Sequence, residues 1–242
     1  MRVLHVEDDE LAARGAAVML RRNGFTVDSA WTGGEALEMV GLAPYDGMLL
    51  DLGLPDMIGT DVIRRMRRAG NETPVLMVTG TNGQSSRIAA FDVGADDYVI
   101  KPFDGAEVVA RLRAIIRRSH GYSHRLLSAR NIVLDQDRSE VSFEGRRIHL
   151  TRKEYAVLEL LMLRRGRLVP KWHIIGHLYG GLDEPSSRTV EVFVCGLRKK
   201  IAGLGGPDCI RTVPGQGYTI DADIGIMVPA AGGQEAVQAV GF

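Results

Sequence analysis

Two cysteines, Cys195 and Cys209, are all that the 242 residues contain. They are too few for a disulfide framework or a zinc site of their own, and in a reducing compartment both are expected as free thiols. No apolar stretch approaches the roughly 20 residues that a bilayer-spanning helix needs. The opening "MRVLHVEDDE" is acidic where a signal peptide is basic and then apolar, so a cytoplasmic protein without a membrane partner is expected. Net charge is absent as well, since 30 Lys plus Arg balance 30 Asp plus Glu. With 45% hydrophobic and 25% charged residues the disordered and membrane classes are excluded. The length suits two domains better than one compact core.

The balance of charge hides an asymmetry. Residues 1–118 hold 14 basic against 17 acidic residues, whereas the stretch 146–211 holds 13 against 6. A polyanionic partner is therefore expected for the second half, a solvated basic face being the plain alternative.

The first half alternates short β-type runs with amphipathic helical ones. The runs are "RVLHV", "TVDSA", "GMLLD", "PVLMVT" and "YVIK", and helices are predicted over 10–22, 33–41, 59–69, 83–93 and 104–118. Five such repeats build a doubly wound, flavodoxin-like α/β fold with a five-stranded parallel sheet. Ligands of such sheets sit outside the carboxyl ends of the strands. Those ends carry Glu7 and Asp8, Asp51, Thr79 and Lys101. Each has an ordinary explanation alone; Asp51, for instance, ends "MLLD" ahead of a Gly-Pro turn.

Their convergence has a chemical reading. Three carboxylates placed together repel, and a hard divalent cation such as Mg2+ relieves the conflict. Lys101 adds a fixed positive charge suited to a phosphoryl oxygen. The set is thus expected to accept a phosphoryl group on a carboxylate, with Asp51 as nucleophile.

Glu7-Asp8, Asp51, Thr79, Lys101-Pro102 and "GADDYVIKPF" resemble the receiver domain of two-component response regulators. The resemblance implies that Asp8, Asp51 and the carbonyl of Gly53 hold Mg2+, with Glu7 acting through water. It also implies that Thr79 follows the phosphoryl group, that Tyr98 turns inward as the switch aromatic, and that a histidine kinase or histidine phosphotransferase is the donor. A haloacid-dehalogenase-like phosphatase shares the strand-end Asp, but wants a second Asp where this chain has Gly53.

Residues 119–127 read as a linker. In 128–223, short strands are followed by three helices and a closing hairpin. The first helix opens at Thr151 with Glu154 at capping-box spacing, Pro170 opens the second, and the third begins near Ser187 and presents Val190, Phe193, Val194, Leu197 and Ile201 to the core. A basic three-helix unit with "IRTVPGQGYTI" describes a winged helix-turn-helix, whose third helix enters the major groove of duplex DNA. Candidate contacts are Arg188, Thr189, Val192, Arg198, Lys199 and Lys200, with Gln216 on the wing. The remaining 224–242 read as a flexible tail.

"LTRKEYAVLELL", "RTVEVFVCGLRKKI" and "TVPGQGY" resemble the effector domain of OmpR/PhoB-type transcription factors. "HLYGGLDEP", "FVCGLRKKI" and "RRSHG" are similar, more narrowly, to the cell-cycle regulators that alphaproteobacteria keep in that family. The resemblance implies promoter DNA and RNA polymerase as partners, a regulatory role with no enzymatic activity beyond phosphotransfer onto itself and its reversal, and control of cell-cycle genes. It further implies a phosphorylation-dependent homodimer. Arg87, Asp97, Glu107 and Arg111 would form the charged pairs of its interface, flanking Ile88, Phe91 and Val108. Two departures stand out. Cys195 and Gly196 replace basic residues of the third helix, and Pro214 and Gln216 replace Trp and Arg of the wing. A second half that serves as a protein-interaction module is the competing expectation.

Overall fold

The computed structural model describes residues 1–80, 84–122, 126–136, 138–180 and 188–221, side chains of 84–87 excepted. The first domain alternates β1 (Arg2–Val6), α1 (Glu10–Arg22), β2 (Thr26–Ala30), α2 (Gly33–Leu42), β3 (Gly47–Asp51), α3 (Gly59–Arg68), β4 (Val75–Thr79), α4 (Gln84–Asp92), β5 (Asp97–Ile100) and α5 (Gly105–Ser119). The sheet is parallel throughout in the order β2-β1-β3-β4-β5. Strand β5 stops at Ile100, so Lys101 stands just beyond its strand instead of ending it.

Period-two alternation divides the core. Val3, Leu49, Leu76 and Val78 pack with Ala17 and Leu20 of α1 and Leu112 and Ile116 of α5. Leu4, Val6, Met48 and Leu50 pack with Val62, Ile63 and Met66 of α3 on the other face. Helix α1 begins because Asp9 accepts from the Ala12 N–H at 2.8 Å. Helix α3 has no side-chain cap; at its first residue, Gly59, a Cβ would meet the Asp51 carbonyl oxygen at 2.5 Å.

The second domain opens with an antiparallel sheet of β6 (Leu126–Ala129), β7 (Ile132–Asp135), β8 (Glu140–Phe143) and β9 (Arg146–Ile148). Strand β6 starts inside the segment read as linker. Its alternation is only four residues long, with Leu127 and Ala129 buried, too short to register against polar neighbours. Then come α6 (Arg152–Leu163), β10 (Val169–Pro170), α7 (Lys171–Tyr179), α8 (Arg188–Ala202), β11 (Ile210–Val213) and β12 (Gly217–Ile220). The Thr151 and Glu154 capping box is present at the start of α6. Strands β10, β12 and β11 form the wing sheet. Gly217 is required there, because a Cβ would lie 2.1 Å from the Val169 carbonyl oxygen. Among the described residues no helix is long and apolar enough to cross a membrane.

The two domains share one apolar cluster, which runs from Val3 and Leu112 to Leu127, Leu158 and Ile174. Helix α7 lies against β1 and β2. Thr26 Oγ1 donates to the His177 carbonyl at 2.6 Å, and His177 Nδ1 meets Asp46 Oδ2 at 3.0 Å, both side chains fully buried. Nε2 of the same ring takes the Met1 amine at 2.9 Å, which fixes a neutral imidazole with the proton on Nδ1. Tyr122 closes the seam by donating to the Met162 carbonyl at 2.7 Å.

Candidate functional site

At the carboxyl edge of the parallel sheet, Glu7, Asp8 and Asp51 offer oxygens that all lie within 4.8 Å of one another. β1 supplies the first two just past its end and β3 supplies the third. Lys101 Nζ reaches across from beyond β5, 2.6 Å from Glu7 Oε2 and 2.5 Å from Asp51 Oδ2. Burial pushes the Glu7 carboxyl up; the Lys101 hydrogen bond opposes this and the nearby Asp51 charge adds to it. Burial pulls Lys101 down, but hydrogen bonds to Asp51 and Glu7 outweigh it and raise the ammonium. A cation therefore already bridges the acids. The donor set is all oxygen, which fits a hard divalent ion.

The loop behind Asp51 is fixed by an aspartate that sequence reasoning passed over. Asp56 accepts from the N–H groups of Gly33 and Gly34, each at 2.8 Å, and these bonds hold its carboxyl below the usual range. The signal was the pair of glycines that opens α2, since a helix start offers free N–H groups to a carboxylate. Gly53 lies within the tethered loop, bridged to Ile58, and its N–H donates to Asp51 Oδ1 at 3.3 Å. Thr79 is buried at the end of β4. Tyr98 is half-buried on β5 and meets Phe91 edge to face, ring centres 5.7 Å apart.

On the α4–β5–α5 face, Ile88 and Phe91 are 55% and 46% exposed. Arg111 donates within its own chain, to Asp97 at 2.9 Å and Glu107 at 2.8 Å. The Arg87 side chain lies outside the described residues. Val108 is not on this face: it is completely buried against the sheet, because α5 turns that position toward the core.

In the second domain, Val190, Val194, Leu197 and Ile201 face the core and Phe193 packs at its margin. Arg188, Val192 and Lys199 are exposed on α8, Val192 by 68%, and Thr189 is half-buried. Gln216 is exposed at the tip of the wing. Two of the candidate contact cations, Arg198 and Lys200, are engaged inside the domain. Arg198 Nε donates to Asp208 at 3.1 Å and to the Ile210 carbonyl at 3.2 Å, tying α8 to β11. Lys200 Nζ donates to Glu154 Oε2 at 2.6 Å, tying α8 to α6. Gly196 admits that contact, since a Cβ there would lie 2.5 Å from Glu154 Oε1. The glycine thus serves the approach of two helices.

Residues 3–113 match the family described as "Response regulator receiver domain", and residues 145–220 match "Transcriptional regulatory protein, C terminal". The chain is 42% identical over 221 residues to "Cell cycle transcriptional regulator CtrA" of Caulobacter vibrioides, covering 91% of this chain and 96% of that protein. It is equally similar to "Cell cycle response regulator CtrA" of Brucella anthropi and of Brucella ovis, in each case covering 91% of this chain and 95% of that protein.

Proposed function

Because the chain belongs to the DNA-binding response regulators, with a receiver domain ahead of an OmpR/PhoB-type effector domain, we propose that Asp51 is its phosphoacceptor and that phosphorylation governs promoter binding at cell-cycle genes. The observation that carries this reading is Lys101 Nζ held between Glu7 and Asp51. One Asp51 oxygen attacks the phosphorus of a phosphohistidine on a kinase or phosphotransferase. The P–O bond forms as the P–N bond breaks, and the leaving imidazole takes a proton from water. Lys101 then follows the charge from the carboxylate to the phosphoryl oxygens. Asp8, Asp51 and the Gly53 carbonyl would hold Mg2+, with Glu7 acting through water. The ion supplies charge neutralisation at the phosphoryl group.

In the proposed relay Thr79 and Tyr98 carry the change from this pocket to the α4–β5–α5 face. There Arg111 exchanges its internal partners for those of a second copy, Asp97 and Glu107 being the acids and Arg87 the other base. Exposed Ile88 and Phe91 supply apolar area for the homodimer. The dimer sets two copies of α8 on repeated half-sites of promoter DNA. Arg188, Thr189, Val192, Lys199 and Gln216 are the proposed contacts, while Arg198 and Lys200 act chiefly by holding α8 in place. RNA polymerase is the proposed downstream partner, and the cytoplasm the proposed compartment.

The test compares wild type and Asp51→Asn with acetyl phosphate and Mg2+. Tighter promoter binding is expected for the wild type alone; an equal gain in the variant overturns the reading.

A further inference from the structure

Beside the buried joint of His177 and Asp46 the two domains enclose an open cleft of about 720 Å3, a volume within the range of small-molecule sites. Both domains contribute cations to it. Arg21, Arg22 and Arg113 come from the first, Arg147, Arg152 and Lys153 from the second. Two carboxylates also line it, and both are already committed. Glu140 pairs with Arg147 at 2.9 Å, and Glu159 lies 3.9 Å from the Met1 amine and accepts from Gln136 Nε2 at 3.1 Å.

The other cations meet no counter-charge among the described residues. Arg21 donates to the Val27 carbonyl, Arg152 to that of Arg21, and Arg113 to those of Asn23 and Gln136, at 2.6 to 3.1 Å. A carbonyl satisfies an N–H group but leaves the charge in place, and each guanidinium keeps further donors. Lys153 Nζ lies 3.7 Å from the centre of the Tyr179 ring, and Arg22 has no partner among the described residues. Docking therefore gathers five cations from two domains around one space, and like charges so gathered cost free energy unless an anion joins them. Guanidiniums suit phosphate in particular, because their paired donors match its oxygens. Phe25 and Tyr155 add ring surface to the lining. No residue of α8 or of the β11–β12 hairpin takes part, so this surface is separate from the one assigned to DNA.

We propose that the cleft binds a small polyphosphate anion of nucleotide size, and that the ligand favours the docked arrangement because both domains supply its charge partners. The test is calorimetric titration of the full chain with ATP and, separately, with inorganic triphosphate in magnesium-free buffer. Both are expected to bind. Tighter binding of ATP would assign a role to the ring surface, and equal binding would assign recognition to the phosphates alone. Arg22→Glu combined with Lys153→Glu alters two exposed side chains outside the core, and is expected to weaken binding about tenfold or more. The proposal is overturned if neither compound binds at millimolar concentration, or if the double variant binds them as the wild type does. It is also overturned if the double variant loses affinity only for duplex DNA, which would make the cleft part of the DNA surface.

Discussion

Gly196 of α8 stands against Glu154 of α6 so closely that a Cβ would approach its Oε1 to 2.5 Å. Alanine is the better helix former by about 1 kcal/mol, so propensity alone favours Gly196→Ala. The contact reverses the sign, because Glu154 also closes the Thr151 capping box and accepts from Lys200. Gly196→Ala is expected to destabilise the chain by roughly 1 to 3 kcal/mol, read as a lower urea midpoint. A variant as stable as the wild type would remove this role from the glycine.

Phosphotransfer is expected to depend on one carboxylate oxygen. Asp51→Asn keeps the shape of the pocket and removes the nucleophile. Incubation with acetyl phosphate and Mg2+ should add the mass of one phosphoryl group to the wild type and none to the variant, as intact mass spectrometry reports.

Charge reversal at Arg111 separates folding from assembly. Its partners Asp97 and Glu107 are partly exposed, where an ion pair contributes about 0 to 1 kcal/mol. Arg111→Glu is expected to fold with nearly unchanged melting temperature, yet to remain monomeric after phosphorylation in sedimentation velocity.

The basic residues of α8 should divide into two groups. Arg188→Ala is expected to weaken promoter binding and lower the salt slope by about 1 with stability unchanged. Arg198→Ala removes the link to Asp208 and the Ile210 carbonyl, so thermal stability is expected to fall along with DNA affinity.

Acid is expected to loosen the joint between the domains. Burial, with the Arg164 charge, lowers His173 from its ordinary value to about 4, and burial, with the Met1 amine, lowers His177. Burial pulls Asp46 up, but its contacts with His177, the Met1 amine and Arg164 hold it well below the carboxylate range. Arg2, Asp46, Arg164 and His177 are the groups that face His173. A histidine whose folded value is depressed stabilises fully above its unfolded value and less as pH falls toward the folded one. From pH 6.5 to 4, His173 alone accounts for up to about 3 kcal/mol. A melting temperature that falls steadily across this window is expected, with the fall reduced in His173→Gln.

Most of the first domain was legible in the sequence because each strand and helix declares itself within a few residues. "GMLLD" is a buried strand by composition alone, and Glu7, Asp8, Asp51 and Lys101 come together once the sheet is parallel. Strand β6 was not legible, since Leu127 and Ala129 are buried only by partners distant in the chain. Asp46 and His177 escaped for the same reason: 131 residues separate them, and neither has a local pattern. Arg198 and Lys200 looked like surface cations because a charge run does not reveal which members turn inward. Gly196 stood out in the sequence only as a missing basic residue, because its neighbour Glu154 comes from another helix.

The joint formed by α7 on β1 and β2 changes what the linker does. With Thr26, Asp46 and Tyr122 gripping the second domain, its position no longer depends on how far a tether can wander. The protein should then tumble as a single particle, with α8 carried at a fixed angle to the sheet like a tool set in a handle.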